Sequence, residues 1–196
     1  MRKILVCGDS FAADWTPRTS VKGWPDMLRD HFDVTNVAQA GCSEYKIYLQ
    51  LKSVDLTQYD AIIIAHTSPN RLYVKEHPVH EKGSLHEHSD FIYADIKEHS
   101  KHTKSLLPVV DYFERYFDLE YATFVHSLIC KEIDNMLLDY NGTIIHVTGF
   151  DWDNLHPFTD IITFEPLARY NMGLPNHLDD GGNTFVYLTL VHRLGL

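Results

Sequence analysis

The sequence is poor in cysteine and in long apolar runs, and each shortage excludes a class of protein. Its 196 residues include three cysteines, Cys7, Cys42 and Cys130, which lie far apart. They form no Cys-x-x-Cys pair, so we exclude a disulfide-stapled scaffold and expect free, buried thiols. No apolar run approaches the roughly 20 residues of a membrane helix, and the stretch behind Met1 is too short for a signal peptide. We therefore expect a soluble, cytoplasmic protein without a membrane partner.

Positive charge is also scarce. The chain has 27 acidic against 17 basic residues, a net charge of -10 with neutral histidines. Nucleic-acid binders need clustered lysine and arginine to neutralise phosphate, and no such cluster occurs, so we expect no nucleic-acid partner. A hydrophobic content of 44% and a charged content of 22% are typical of a globular chain. The length fits one domain over residues 1–196.

Short apolar runs alternate with amphipathic segments along the chain. The runs predict buried strands at residues 3–7, 34–38, 59–65 and 143–147. Helices are predicted at about 24–31, 43–54, 119–138 and 183–193. In the longest helix one apolar face is marked by Ala122, Val125, Ile129, Ile133, Met136 and Leu137. Such alternation predicts a three-layer α/β/α fold with a central parallel sheet.

Residues 71–104 interrupt this alternation. They are polar, lack clear periodicity and contain six histidines: His77, His80, His86, His88, His99 and His102. Structureless loops of this length are usually functional or mobile. The segment follows the carboxyl end of a predicted strand, where α/β proteins bind ligands. We therefore predict an inserted loop or cap over a binding site.

A candidate nucleophile follows the first predicted strand, in the motif Gly8-Asp9-Ser10. The glycine allows a tight turn that raises the serine hydroxyl above the sheet edge. Backbone N–H groups around such a turn can face a developing negative charge. Taken alone, the tripeptide is also an ordinary turn sequence.

Three more polar segments occur at corresponding places. Residues 36–41, which end in Gly41, follow the second strand, and residues 66–71 follow the third. Pro175-Asn176-His177-Leu178 precedes Gly182-Asn183 and the last predicted helix. Together with Gly23-Trp24-Pro25-Asp26, this ordered set resembles the SGNH/GDSL hydrolase family of serine esterases. The resemblance covers the chain apart from residues 71–104 and implies a flavodoxin-like arrangement of the sheet.

The resemblance implies roles for individual residues. Ser10 would be the nucleophile and His177 the general base that takes its proton. Backbone N–H groups of Ser10 and Gly41 would hold the oxyanion. The family's third block usually reads Gly-x-Asn-Asp, whereas this chain has Ala65-His66-Thr67-Ser68-Pro69-Asn70-Arg71. We assign the third oxyanion donor to Asn70, and Ser68 or Thr67 is the alternative.

A second departure concerns the acid of the triad. The family has an aspartate three residues before its histidine, and this chain has Leu174 there. Loss of that acid can cost ~10⁴ in rate. We expect a Ser–His dyad supported by a backbone carbonyl. Asp179 and Asp180 are close in sequence and are alternative sources of an acid.

The resulting hypothesis is an esterase that removes small acyl groups, such as an O-acetyl group on a carbohydrate. Asp9, Ser68 and Arg71 are assigned to substrate binding, and neither a cofactor nor a metal is required. Two alternatives stay open. The first is a catalytically silent binding module on the same fold. The second is a protein that binds zinc or nickel through His77 and His80, or through His86 and His88.

Overall fold

The computed structural model describes residues 1–15, 20–151, 156–158, 160–168 and 174–196. Within these residues, short strands alternate with helices. The strands are β1 (Lys3–Gly8), β2 (Asp33–Asn36), β3 (Ala61–His66), β4 (Arg71–Leu72), β5 (Phe91–Ile92), β6 (Thr143–Thr148) and β7 (Ile162–Thr163). The helices are α1 (Trp24–Leu28), α2 (Glu44–Lys52), α3 (Tyr93–Ser100), α4 (Leu107–Arg115), α5 (Leu119–Leu137), α6 (Glu165–Ala168) and α7 (Asp180–Arg193).

Five strands form one parallel sheet in the order β2-β1-β3-β6-β7. The central strand β3 has the sequence Ala-Ile-Ile-Ile-Ala-His, and all six residues are buried. Such β-branched runs fit a strand that is covered on both faces. In register, Val6 of β1 lies opposite Ile63 of β3, which lies opposite Ile145 of β6.

Helices cover both faces of this sheet and create two apolar clusters. On one face, α1 and α7 contribute Trp24, Leu28, Val186 and Leu190 to a cluster that includes Val6 and Ile63. On the other face, α2 and α5 contribute Ile47, Leu51, Ile133 and Leu137 to a cluster that includes Leu5 and Ile64. The predicted α/β class with its central parallel sheet and flanking helices is confirmed.

The predicted strands and helices occur with boundaries shifted by a few residues. On α5, Ile133 and Leu137 are buried as expected, but Ala122, Val125 and Ile129 are half-buried and line a groove. The buried positions between them are His126 and Cys130. The three cysteines are free and buried, as predicted. None of the helices in the described part of the chain combines the length and apolar character needed to span a bilayer.

The segment from residue 71 to residue 104 contains regular structure that the sequence did not predict. Strands β4 and β5 pair antiparallel, and α3 follows directly. In α3 only Ile96 is fully buried, so this helix has no apolar stripe that periodicity could detect. Whether the segment acts as a cap on a single domain over residues 1–196 stays a prediction.

Candidate active site

Ser10 and His177 meet at the carboxyl edge of the sheet. The Ser10 Oγ lies 2.8 Å from the His177 Nε2, although 167 positions separate them in the chain. Ser10 follows the end of β1 at Gly8, with Asp9 between them. The preceding Gly8 has φ of 152°, and a Cβ there would lie 2.6 Å from the Cβ of Ala65. Glycine is therefore required for the close approach of β1 to β3 at this point.

The turn before Ser10 is fixed by a buried glutamine. The Gly8 N–H donates to Oε1 of Gln50 at 2.8 Å, and Nε2 of Gln50 donates to the Gly8 carbonyl at 3.0 Å. This pair of hydrogen bonds ties the end of β1 to α2. The backbone that carries Ser10 is thereby held in one conformation.

His177 is presented by a short 3-10 turn, Pro175–His177, in which Asn176 and His177 have φ values of 53° and 56°. A left-handed backbone is uncommon for a histidine and costs of order 1–3 kcal/mol. Asn183 holds the segment, because its Nδ2 donates to the carbonyls of Pro175 and Leu178 and its Oδ1 accepts from the Trp24 N–H. The Gly182-Asn183 motif thus joins α7, α1 and the histidine turn.

The His177 ring packs against aromatic side chains. Its centroid lies 4.7 Å from that of Phe11 and 6.3 Å from that of Trp15. Burial lowers the pKa of His177, and the negative charge of Asp9 opposes this shift. The imidazole is therefore kept in the neutral form that can accept a proton.

The second ring nitrogen of His177 is not oriented as the sequence suggested. Nδ1 is buried and has no hydrogen-bond partner among the described residues, so the expected backbone carbonyl is not found there. Leu174 occupies the position of the acid. Asp179 uses its Oδ1 to cap α7, accepting from the Gly182 N–H at 2.7 Å, and Asp180 is exposed. Within this part of the chain, packing rather than an acid positions the ring.

Ser10, Gly41, Asn70 and His177 line one cavity of about 650 Å³. Gly41 has φ of 77°, and a Cβ there would lie 2.5 Å from the Cβ of Ser89. Asn70 is exposed, and Ser68, which accepts a hydrogen bond from the Asn70 N–H at 3.3 Å, also lines the cavity. The sequence-predicted oxyanion residues and the dyad therefore share one site.

Asp9 does not reach this cavity. It is fully buried and accepts hydrogen bonds from the Phe11 N–H, the Thr67 hydroxyl and Arg71. Burial raises the pKa of Asp9, opposed chiefly by the charge of Arg71. A direct contact with substrate, suggested by the sequence, does not fit this burial. Asp9 instead holds Arg71, which lines the cavity.

Arg71 lies on the cavity wall but its guanidinium is largely occupied. It donates to Asp9 at 2.8 Å and to the Cys42 carbonyl at 2.6 Å, and its side chain is 7% exposed. Its charge is thus mostly neutralised within the protein. Its visible role is to join the loop after β3 to the loop that contains Gly41.

The 71–104 segment forms part of the same cavity, through His80, His86, Ser89, Ile92 and Asp95. It is anchored by Asp90, which is fully buried. The Asp90 carboxylate accepts from the Ser43 N–H at 2.6 Å and from the Val74 N–H at 2.8 Å, and pairs with Lys46 at 2.9 Å. The Asp90 N–H donates to the Gly41 carbonyl at 2.9 Å, so the segment contacts the predicted oxyanion loop directly.

A buried polar cluster, formed by Glu44, His66, His126 and His146, lies behind the site. His66 Nδ1 lies 2.7 Å from Glu44, and its Nε2 lies 2.8 Å from His146 Nδ1. Burial alone would raise the pKa of Glu44, but the neighbouring histidines outweigh it and hold that pKa well below its usual value. A second cavity of about 420 Å³ touches Glu44 and His126 and shares Ser68 and Arg71 with the first.

The sequence did not single out Phe11, Gln50 or this cluster as parts of the site. Asn176 and Asn183 were noticed only as parts of motifs. Polar residues inside apolar segments, such as Gln50 and His66, were the visible sign of these contacts. An analysis of hydrophobic periodicity does not show which partners such residues have.

The fold and the site together define an α/β protein with a Ser–His pair at the carboxyl edge of a parallel sheet. No protein-family model matches the chain. It is similar to an "uncharacterized helicase" of Caenorhabditis elegans, at 25% identity over 161 residues, which is 81% of this chain and 8% of that protein.

Among solved structures, the chain is similar to a "putative lipolytic protein of G-D-S-L family" from Desulfitobacterium hafniense DCB-2. The sequence identity is 13%, the coverage is 98% of this chain and 99% of that one, and the TM-score is 0.40. Likenesses this distant do not assign the chain to a family. The functional argument depends on the geometry of the site.

Proposed function

We propose that this protein is a serine hydrolase of the SGNH type that acts on carboxylic esters, with Ser10 as nucleophile and His177 as general base. The observation that carries the proposal is the 2.8 Å contact between Ser10 Oγ and His177 Nε2. A serine hydroxyl is a poor nucleophile until an imidazole takes its proton, and this distance is within the reach that such a transfer needs.

The reaction follows from the protons that these two residues can exchange. Ser10 Oγ attacks the ester carbonyl while its proton passes to His177 Nε2. The tetrahedral intermediate expels the alcohol, which takes that proton, and leaves an acyl-Ser10 ester. Water then attacks the acyl group, again giving a proton to His177, and collapse of the second intermediate returns the proton to Ser10 and releases the acid.

Oxyanion stabilisation is proposed for the backbone N–H groups of Ser10 and Gly41 and for the side chain of Asn70. Support comes from their common cavity with His177. Each such donor is worth about 10²–10³ in rate. The substrate we propose is a small acyl ester, such as an O-acetyl group on a carbohydrate, because the polar residues of the 71–104 segment favour a hydrophilic alcohol.

Labelling with a fluorophosphonate, which phosphonylates activated serines, tests the nucleophile. Wild type is expected to be labelled, Ser10→Ala to lose the label, and His177→Ala to react far more slowly. Ser127→Ala is the control, because Ser127 lies on α5 and lines neither cavity. Equal labelling of wild type and Ser10→Ala would show that the nucleophile is misassigned.

The buried Nδ1 of His177 without a partner in the described residues favours a second candidate, a silent binding module. Hydrolysis of p-nitrophenyl acetate separates the two functions. Turnover that disappears in Ser10→Ala and His177→Ala supports the esterase. Absence of both turnover and labelling in correctly folded wild type favours the binding module.

A further inference from the structure

Outside the dyad, two histidines and a carboxylate of the 71–104 segment converge. We define the cap cluster as His77, His80 and Asp95. Nε2 of His80 lies 3.4 Å from the Asp95 Oδ2, and Nε2 of His77 lies 3.8 Å from the same oxygen. One potential ligand atom from each residue lies within 4.8 Å of those of the other two.

Hydrogen bonds do not explain this convergence. Both distances exceed the 2.7–3.2 Å of an ordinary N–H···O contact. Nε2 of His77 and Oδ2 of Asp95 are buried atoms, and neither has a hydrogen-bond partner in the part of the chain that the structure describes. The His77 side chain is 0% exposed. A buried polar group without a partner costs free energy, so the cluster lacks a component that satisfies both atoms.

A metal ion fits the distances between these atoms. Four ligands at the Zn–N and Zn–O distances of about 2.0–2.2 Å stand about 3.3–3.6 Å apart in a tetrahedron. The separation between His80 and Asp95 already matches this value, and that between His77 and Asp95 exceeds it by a few tenths of an ångström. The rings of His77 and His80 are stacked, with centroids 3.7 Å apart and planes at 17°, so one ring must rotate for both Nε2 lone pairs to point at the same ion. Imidazole nitrogen and carboxylate oxygen form a ligand set that zinc accepts.

Hydrogen bonds to Nδ1 of His80 leave its Nε2 free of a proton and able to bind a metal ion. Its Nδ1 lies 2.7 Å from the His86 carbonyl and 2.7 Å from the Ser89 hydroxyl. A carbonyl can only accept, so Nδ1 carries the proton and the lone pair of the neutral ring is on Nε2, towards Asp95. A second nitrogen that donates to a carbonyl is the usual support of a metal-bound histidine.

We propose that the cap cluster is a binding site for a divalent transition-metal ion such as Zn²⁺, with Nε2 of His77, Nε2 of His80 and the carboxylate of Asp95 as protein ligands. His99 lies one helical turn beyond Asp95, with its Nε2 3.5 Å from Oδ1 of Asp95, and is a candidate for a fourth ligand.

The site joins the stretch between β4 and β5 to helix α3, beside the cavity that contains Ser10. His77 and His80 lie between β4 and β5, Asp95 lies on α3, and both His80 and Asp95 line the cavity that contains Ser10. Ser89, which contacts His80, also packs against Gly41. An ion here holds the segment against the loop that contains Gly41.

Titration of the full chain with Zn²⁺ after chelator treatment tests the proposal without any assay of hydrolysis. Wild type is expected to bind one ion per chain. Asp95→Asn and His77→Ala are expected to bind Zn²⁺ more weakly than wild type. Loss of a residue that only supports a metal ligand lowers affinity by about 10–100-fold, and loss of a ligand itself should lower it by at least as much. Co²⁺ is a second probe, since its visible absorption reports four-coordinate binding directly.

His102→Ala is the matched control, because it removes an exposed histidine of the same segment that is outside the cluster. It is expected to bind Zn²⁺ like wild type. If His77→Ala fails to fold, the partly exposed Asp95 still decides the question through Asp95→Asn. Failure of wild type to bind, or equal binding by wild type and Asp95→Asn, overturns the metal site whether or not Ser10 is a nucleophile.

Discussion

Two histidine clusters within the described residues differ in whether their polar atoms have hydrogen-bond partners. In the buried polar cluster, His66 contacts Glu44 and His146 through its two ring nitrogens. His126 contacts the Thr67 carbonyl at 2.8 Å and the Cys130 thiol at 3.6 Å. In the cap cluster, His77 Nε2 and Asp95 Oδ2 have no hydrogen-bond partner among the described residues.

This difference separates groups that look alike in a search for metal ligands. Glu44, His66 and Cys130 also bring potential ligand atoms close together. A ligand must offer a lone pair, however, and the ring nitrogens of His66 already form short hydrogen bonds within the protein. Proximity alone therefore does not define a metal site. The buried polar cluster is a structural network, whereas two potential ligand atoms of the cap cluster have no hydrogen-bond partner among the described residues.

The largest expected effect is on the buried polar cluster. Glu44→Ala removes a 2% exposed carboxylate that contacts His66, His126 and the Thr67 N–H. Loss of one partner from a buried pair costs about 3–5 kcal/mol, because the remaining polar groups lose their compensation. Urea unfolding measures this change. Glu120→Ala on the exposed start of α5 is the control and should cost less than about 1 kcal/mol; similar losses in both variants would contradict a structural role.

A smaller effect is expected when Zn²⁺ is added. At a free concentration of about 100 times Kd, an ion that binds only the folded state raises the free energy of unfolding by about 2.7 kcal/mol. Wild type should show this increase in urea unfolding, and His80→Ala should not. His146→Gln, which alters the buried polar cluster, should keep it. If His146→Gln loses the increase and His80→Ala keeps it, the ion binds in the buried polar cluster and not in the cap cluster.

The parallel sheet could be predicted from the sequence because its strands are continuous apolar runs. Ala61–His66 is buried on both faces, and such a run is distinctive without knowledge of its neighbours. Ser10, Gly41 and Asn70 followed these runs at strand ends, so their common edge was predictable too. Joining His177 to them required the family resemblance, because no local pattern links positions 167 residues apart.

Contacts that depend on tertiary packing could not be predicted. Helix α3 is polar on most of its surface, and the pairing of β4 with β5 involves only two residues in each strand. The convergence of Asp95 with His77 and His80 follows from these two elements. The missing acid was visible as Leu174, but no sequence pattern specified the left-handed turn of His177 or an Nδ1 without a hydrogen-bond partner among the described residues.

Acid should weaken the buried polar cluster gradually. Burial and the adjacent charge of His66 lower the pKa of His146 to about 3, below the ordinary value of 6.5. The unfolded chain therefore binds a proton below pH 6.5 that folded His146 does not take up. Its contribution to stability is complete above pH 6.5 and is lost as the pH falls towards 3, by up to about 1.4 kcal/mol per pH unit. Urea unfolding across this range checks the slope, and His146→Gln should flatten it.

The smallest effect concerns His177, which is buried on one side and open to the cavity on the other. Its pKa is lowered from 6.5, chiefly by burial, so the neutral base form persists to lower pH. Under the proposed esterase, kcat/KM should fall only as the pH drops below 6.5, because protonation removes the acceptor for the Ser10 proton. Asp9→Asn removes a charge that raises this pKa and should move the acid limb further down, whereas Asp111→Asn on the exposed face of α4 should leave it in place. If kcat/KM of wild type already falls with decreasing pH at pH 7 or above, a group other than the buried imidazole limits the reaction.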